Sequence, residues 1–394
     1  MFDVVIAGAR VAGASTALLL ARAGLRVLVV DPAPQGRDTL STHALMRGGV
    51  LQLHRWGILE QLIAAGTPVI DATTFHYGSE RIRVPLEPKD GIDGLVAPRR
   101  FLLDELLSDA AALAGAHVLR GWSLADLTRE SSGQVVGARL RGPEGRSMDV
   151  PAALVIGADG RNSRVARIVE ARTLVEERAA TASIYGYWPD LADDGYHWHY
   201  GDGAAAGLIP TNDGMTCVFA SVKPERLRSV GGGGLTELFD GSIDVVSGEL
   251  GERLRSTAIE PRLRGFAGAP TVLRQAHGAG WALVGDAGYF KDPLTAHGIT
   301  DALRDAELLA RAVTDGLGGG RLDRTLAEYQ ATRDRLSAEM IDVTARIASM
   351  EWSLSEVKEL HRALSRAMRG EVELIRGWAR AEPAEGHPLA QAVA

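Results

Sequence analysis

The first residues able to do chemistry are Gly8-Ala9-Arg10-Val11-Ala12-Gly13, which join the apolar run Val4–Ala7 to a stretch of helix formers. Gly8 suits a tight turn, Gly13 suits close packing of a helix on a strand, and the amides opening that helix would face an anion. Asp31 stands 23 positions after Gly8, at the end of a second apolar run, RVLVVD. A carboxylate there accepts from ribose hydroxyls and disfavours a 2′-phosphate. The chemistry implied is a grip on the pyrophosphate and ribose of a dinucleotide. Arg10 occupies the place of the usual middle glycine. Either its guanidinium swings outward onto the phosphates, or the segment is an ordinary βα turn.

Two later turns have related patterns. ALVIGADGRNSRVAR (153–167) runs an apolar strand into Asp159-Gly160 and a basic, polar turn. WALVGDAGYFKDPLTAHGITDALRDA (281–306) runs another into Gly285-Asp286, then Pro293, with a long amphipathic helix after Gly298. Singly, each is a common strand exit or helix entry. RDTLSTHAL (37–45) leaves the second strand as a polar loop. Ser41 or Thr42 would cap the helix that follows, and His43 reads either as a functional group or as a solvated member of that capping cluster. Lys291 is expected at the surface. No GxSxG elbow and no dense His/Asp/Glu spacing is present, so neither a protein nucleophile nor a metal is expected.

The elements that must position these groups follow from periodicity. Residues 4–7, 14–23 and 26–31 read as strand, helix and strand, with Gly24 ending the helix. Strand-like runs SIYGYW, AAGLIP and TCVFASV fill residues 175–270, and TTFHYGSERIRVPL (73–86) reads as an earlier hairpin. Tyr185, Tyr187, Trp188 and the run Tyr196-His197-Trp198-His199-Tyr200 concentrate the chain's aromatic groups. Strand alternation sets Tyr196, Trp198 and Tyr200 on one face and the histidines on the other; core packing is preferred over a pocket for most of them. VGGGGL (230–235) reads as a surface loop with no helix after it, so it offers no second phosphate site. The last ~90 residues read as helices, ending in a loose tail from Glu382.

Composition excludes several classes. The 394 residues carry 43 Lys+Arg against 50 Asp+Glu, a net charge of −7, without a dense basic run, so no nucleic-acid partner is expected. Cys217 is the sole cysteine, which removes intrachain disulfides and thiolate metal sites. No apolar stretch reaches ~18 residues, so no integral membrane association is expected, and a cytoplasmic monomer or homodimer fits.

In this order and spacing, the three turns resemble the group A flavoprotein monooxygenases of the para-hydroxybenzoate hydroxylase fold. That family also includes flavin-dependent halogenases and geranylgeranyl-type reductases. The resemblance covers roughly residues 1–340. Gly8, Gly13 and Asp31 match its glycine turn, Asp159-Gly160 its DG motif, and Gly285-Asp286 with Pro293 and Gly298 its GD motif. Arg100, three residues before Leu103 at an expected helix start, fits a fourth element. The sequence departs from many relatives by placing Gly288, Tyr289 and Phe290 where a histidine often follows the GD pair.

The resemblance implies an α/β fold: a Rossmann-like FAD-binding domain (1–72, 96–174 and 271–340), an inserted antiparallel β-sheet substrate domain (73–95 and 175–270) and a C-terminal helical region (341–394). It implies that Gly8, Arg10, Val11, Ala12, Gly13 and Asp31 hold the ADP half of FAD. Arg100 would contact the pyrophosphate, Gly285-Asp286 the ribityl or pyrophosphate portion, and Asp159 would shape the nucleotide groove. Pro293 and Gly298 would lie along the flavin ring, with the helix-start amides stabilising negative charge at N1/O2. Together with His43 they are the residues implied nearest the chemistry. NADH or NADPH would donate electrons transiently. The implied reaction is oxygenation, through a flavin C4a-hydroperoxide, of a small hydrophobic, aromatic or polyketide-like substrate. Alternatives are a geranylgeranyl-type reductase or dehydrogenase, a flavin-binding scaffold, and a halogenase. For the halogenase the lysines at 89, 223, 291 and 358 and the stretch YHWHYGDG are a poor match.

Overall fold

The computed structural model describes residues 1–191, 194–230, 234–257 and 262–381. Val4, Val5 and Ile6 are fully buried in β1 (Phe2–Ala7), and every residue of β2 (Val27–Asp31) is buried, as β-branched runs are in a parallel sheet covered on both faces. These two strands centre an eight-stranded sheet in which β12 (Trp281–Leu283), β6 (Ser147–Gly157), β1, β2 and β5 (His117–Arg120) are parallel neighbours. An antiparallel hairpin, Ser123–Arg129 with Val135–Arg141, extends the first half of β6. Helix α1 (Val11–Arg22) makes the crossover from β1 to β2 and ends before Gly24, whose φ of +83° is costly for a side chain. β2 lies on one side of β1 and β6 on the other. The order therefore reverses at β1, which opens a crevice at the carboxyl ends of these strands.

A seven-stranded sheet forms the second layer, in the order β11 (Arg264–Phe266), β7 (Ala182–Pro189), β10 (Met215–Val222), β9 (Ala204–Pro210), β8 (Tyr196–Gly201), β3 (Ala72–Tyr77), β4 (Glu80–Pro85). Its pairings are antiparallel except β3 with β8, which run parallel. Tyr185, Tyr196, Trp198, Tyr200 and Phe219 share one core cluster with Ala44, Leu45, Leu294 and Ala296 of the first layer. The opposite face, with Ile184, Trp188, Ala206 and Val218, packs under Phe239 and Ile243 of α5 (Leu235–Val246). This helix corrects the expectation that none follows the glycine run; residues 231–233 of that run lie outside the described residues.

Two helix starts also differ from expectation. Helix α2 (Arg47–Arg55) begins after Met46 with no side-chain cap, so neither Ser41 nor Thr42 caps it; the Ser41 hydroxyl instead accepts from the His43 amide at 3.0 Å. Helix α3 (Arg100–Leu113) begins at Arg100 itself, with Leu103 already in its first turn. Helix α4 (Arg164–Ile168) follows the Asp159-Gly160 turn. The chain then closes with α6 (Gly298–Leu317), α7 (Leu322–Ala348) and α8 (Leu354–Ala381). The tail expected to be loose, from Glu382, lies outside the described residues. No helix among the described residues is long and apolar enough to cross a membrane.

Candidate active site

Three turns from distant parts of the chain meet at the carboxyl ends of β1, β6 and β12. At Gly8, with φ +106°, an added Cβ would lie 2.3 Å from the Ala158 carbonyl oxygen, next to the Asp159-Gly160 turn. At Gly13 it would lie 1.9 Å from the Gly8 carbonyl oxygen, so α1 sits against the strand. At Gly285, with φ +59°, it would lie 2.7 Å from Cβ of Ala12. The amides of Val11, Ala12 and Gly13 open α1, and the first intrahelical bond runs from Ala14 to Arg10 at 2.8 Å. Three donors therefore remain for an anion. Arg10 is exposed and turned outward, with Nη1 donating to Thr39 Oγ1 at 2.7 Å.

The acidic candidates divide by how they are used. Asp31 Oδ2 accepts from the Ala9 amide and Oδ1 from the Ala33 amide, both at 2.8 Å, so its carboxylate already braces the turn. A narrow cleft beside it is lined by Ala9, Arg10, Asp31, Gly36, Phe101 and Arg120. Asp159 is consumed by local structure: it accepts from Ser163 Oγ at 2.5 Å and from the Arg164 amide at 2.6 Å, fixing the start of α4. Arg100 is tied to Asp104 one turn on, at 3.0 Å. Asp286 is half-buried and has no hydrogen-bond partner among the described residues. Burial pushes its carboxyl up while the charges of Arg100, Lys291 and Arg161 draw it back. An unspent carboxylate at this crevice fits the hydroxyl donors of a ribityl chain.

The segment after Asp286 leads to a second helix start. Asp292 accepts from the Leu294 amide at 2.9 Å and the Thr181 amide at 2.6 Å, which pins the Pro293 turn to the strand layer. Ala296 takes the left-handed conformation, φ +49°, and turns the chain into α6. Pro293 and Gly298 are both exposed, and a Cβ on Gly298 would meet nothing within 4 Å. Open space thus lies over the unpaired amides of Gly298, Ile299 and Thr300, as a flat ring with a developing negative charge requires. The glycine turn, the free Asp286 and this open helix start together fit FAD.

His43 is not solvated. It is fully buried, holds φ +70°, and its Nε2 lies 2.5 Å from the Tyr187 hydroxyl, while Nδ1 has no partner. Burial first, then the nearby Arg99, Arg100 and Arg264, overcomes Asp38 and pulls the imidazole down to about 3. The ring is therefore neutral near pH 7. The Arg99 guanidinium lies 4.0 Å from the centre of the Tyr187 ring and 2.6 Å from Asp38. Neither Arg99 nor Asp38 stands out in sequence; only the Arg99-Arg100 doublet hints at the first.

Lys291 is also misplaced by sequence. It is 6% exposed and ion-paired with Asp301, inside a network the sequence does not show. Arg304 reaches Asp301 at 2.8 Å, Asp305 at 2.7 Å and Glu371 at 2.9 Å, and His297, immediately before Gly298, lies 3.2 Å from Glu371. Burial alone would raise Glu371, yet His297, Arg304 and Lys291 draw it down to about 2. A groove of about 790 Å³ elsewhere, lined by Leu174, Leu273, Ile341 and Trp352, shares no residue with this site.

Known proteins carry the same frame. A family model described as an FAD binding domain matches residues 1–226. The menaquinone reductase of Mycolicibacterium smegmatis is 27% identical over 343 residues, covering 80% of this chain and 76% of that protein. The 6-methylpretetramide 4-monooxygenase of Streptomyces rimosus is 27% identical over 355 residues, covering 87% of this chain, which spans only 61% of that longer enzyme. The structure of P. aeruginosa PqsL in complex with 2-aminobenzoylacetate superposes with a TM-score of 0.79 at 22% identity, over 92% of this chain and 99% of that one. With its three converging turns, the chain belongs to the FAD-binding family of group A flavoprotein monooxygenases and is an FAD-dependent oxidoreductase.

Proposed function

We propose that the protein is an FAD-dependent monooxygenase that uses NADH or NADPH and O2 to oxygenate a small hydrophobic, aromatic or polyketide-like substrate. The observation that carries this reading is the open start of α6 at Gly298, flanked by Ala296 and Ile299, which pack in one core with the aromatic inner face of the second sheet. When bound, FAD accepts electrons from the nicotinamide and supplies the chemistry that transfers one oxygen atom of O2 to the substrate.

The chain's own residues do the rest. The amides of Gly298, Ile299 and Thr300 offer donors to the ring's polar edge. Ile209, Tyr185, Trp198 and Phe219, all buried, keep water from the space beneath the sheet. His43 and Tyr187 form a hydrogen-bonded pair, and the neutral ring's unpartnered Nδ1 offers a hydrogen-bond position that would orient a substrate hydroxyl. The Arg99 cation beside Tyr187 favours an electron-rich or anionic substrate. NAD(P)H would bind transiently, since the sequence has no second glycine fingerprint.

The test is turnover under isotopically labelled dioxygen with a panel of phenols, aromatic amines and polyketide aromatics. Label in the product, with one NAD(P)H oxidised per oxygen inserted, supports the reading. A second reading, reduction of a quinone or isoprenoid lipid, is favoured by the likeness to the menaquinone reductase. Anaerobic nicotinamide oxidation that leaves a saturated product would replace the first reading with the second.

A further inference from the structure

Three histidines meet on the face of the second sheet turned away from the flavin crevice. His76 of β3 and His199 of β8 are directly opposed in the parallel register, and His197 lies two residues before His199 on the same face. Their rings stack, with centroids 4.0 Å apart for His76 and His199 and 5.3 Å for His76 and His197. One nitrogen from each ring lies within 4.8 Å of the others. His76 Nε2 and His197 Nδ1 are 3.0 Å apart, and His197 Nε2 lies 3.0 Å from Asp194 Oδ1. The His199 ring has no hydrogen bond among the described residues.

We propose that His76, His197 and His199 form a binding site for a divalent ion of the zinc and copper class, with Asp194 orienting His197. The Asp194 contact assigns the proton of His197 to Nε2 and leaves the Nδ1 lone pair facing His76. This is the carboxylate–histidine arrangement that positions imidazole ligands. An ion at ~2.0–2.1 Å from three imidazole nitrogens needs them roughly 3.4 Å apart and lies in the plane of each ring, so the His76–His197 spacing suits it, while binding requires His76 to give up the proton it donates to His197 and the nearly parallel His76 and His199 rings, 5° apart, to rotate out of their stack. Three imidazoles without thiolate suit zinc, copper or nickel rather than calcium or magnesium. Arg81 and Arg83 stand 3.6 Å from Asp194; they oppose a cation, but at 55% and 44% side-chain exposure their charge is screened. An open fourth position remains for water. The site would clip β3 to β8, the one parallel junction of that sheet.

The other close group of ligand-type side chains, His297, Asp301 and Glu371, is excluded on charge. Lys291 and Arg304 already occupy its carboxylates.

The test uses tag-free holoprotein stripped of metal with a chelator. Zinc is followed by calorimetry and thermal unfolding, and copper(II) by electron paramagnetic resonance. The expected result is one ion per chain, nitrogen hyperfine structure from histidine ligands, and a higher unfolding temperature with zinc. Asp194→Asn should weaken binding by about 10- to 100-fold, and His76→Gln and His199→Gln by at least as much, with flavin content unchanged. Absence of saturable zinc binding below millimolar concentration overturns the proposal, as does a copper spectrum unchanged in the histidine variants. If those variants fold poorly, unchanged affinity in Asp194→Asn, whose side chain is exposed, overturns it as well.

Discussion

At Gly13 a methyl group has nowhere to go, whereas at Gly298 it meets open space. The Cβ of Gly13→Ala would sit 1.9 Å from a backbone oxygen that cannot rotate aside. Helix and strand must separate, at a cost of about 1–3 kcal/mol or more, and the unfolding temperature of the flavin-free protein should fall. Gly298→Ala should leave the flavin-free protein equally stable or slightly more so, because alanine is the better helix residue. Its methyl group projects into the space assigned to the ring, so the flavin Kd should rise about tenfold, or 1.4 kcal/mol. Equal flavin affinity in this variant would remove the ring from that helix start. Tyr187→Phe leaves His43 Nε2 buried without a partner, and unfolding should register a loss of about 1–3 kcal/mol. The glycine turns were legible because backbone geometry is written locally. The burial of His43 and Lys291 was not, because it depends on tertiary packing: His43 meets Tyr187, 144 residues on, and Lys291 enters a charge network with residues of two later helices.

Elements were legible where a period repeats. Alternation in YHWHY set the right faces for β8, and the core packing expected for most of its aromatic residues holds: Tyr196, Trp198 and Tyr200 are buried, as are the two histidines on the opposite face. The docking of α8 was not legible. It rests partly on His361, whose Nδ1 lies 2.8 Å from the Tyr77 hydroxyl and whose ring is 4.4 Å from that of Tyr200. Burial pulls this imidazole down to about 3. Between that value and the ordinary 6.5 of the unfolded chain, the unfolded state binds the extra proton, so stability is complete above pH 6.5 and is lost as pH falls toward 3. The slope approaches 1.4 kcal/mol per pH unit for this one residue. Thermal unfolding at pH 7.5 and pH 5 should therefore show a drop that shrinks in His361→Gln, which cannot titrate and keeps a donor for Tyr77. An undiminished drop would assign the acid sensitivity to the other buried histidines.

Over the whole molecule, the order of the three turns predicts one cofactor crevice, but nothing in the order shows that the C-terminal helix reaches it. Glu371 of α8 meets His297 and Arg304 beside the start of α6, so the last helix braces the residue immediately before Gly298. In this buried group two cations, Lys291 and Arg304, face three carboxylates, Asp301, Asp305 and Glu371. Arg304 is fully buried. Arg304→Met leaves three carboxylates with only Lys291, and breaking a buried pair in this way costs about 3–5 kcal/mol. Glu371→Gln leaves two cations against two carboxylates and removes only hydrogen-bond strength, about 1–2 kcal/mol. Denaturant unfolding should rank the two variants in that order, and hydrogen exchange should show α8 loosened in both. Because His297 loses its anchor in Glu371→Gln, flavin affinity should fall in that variant while most of the stability remains. If Glu371→Gln proves the more destabilising of the two, the charge balance drawn here is wrong, and α8 is held by the acid itself rather than by the arginine it shares with α6.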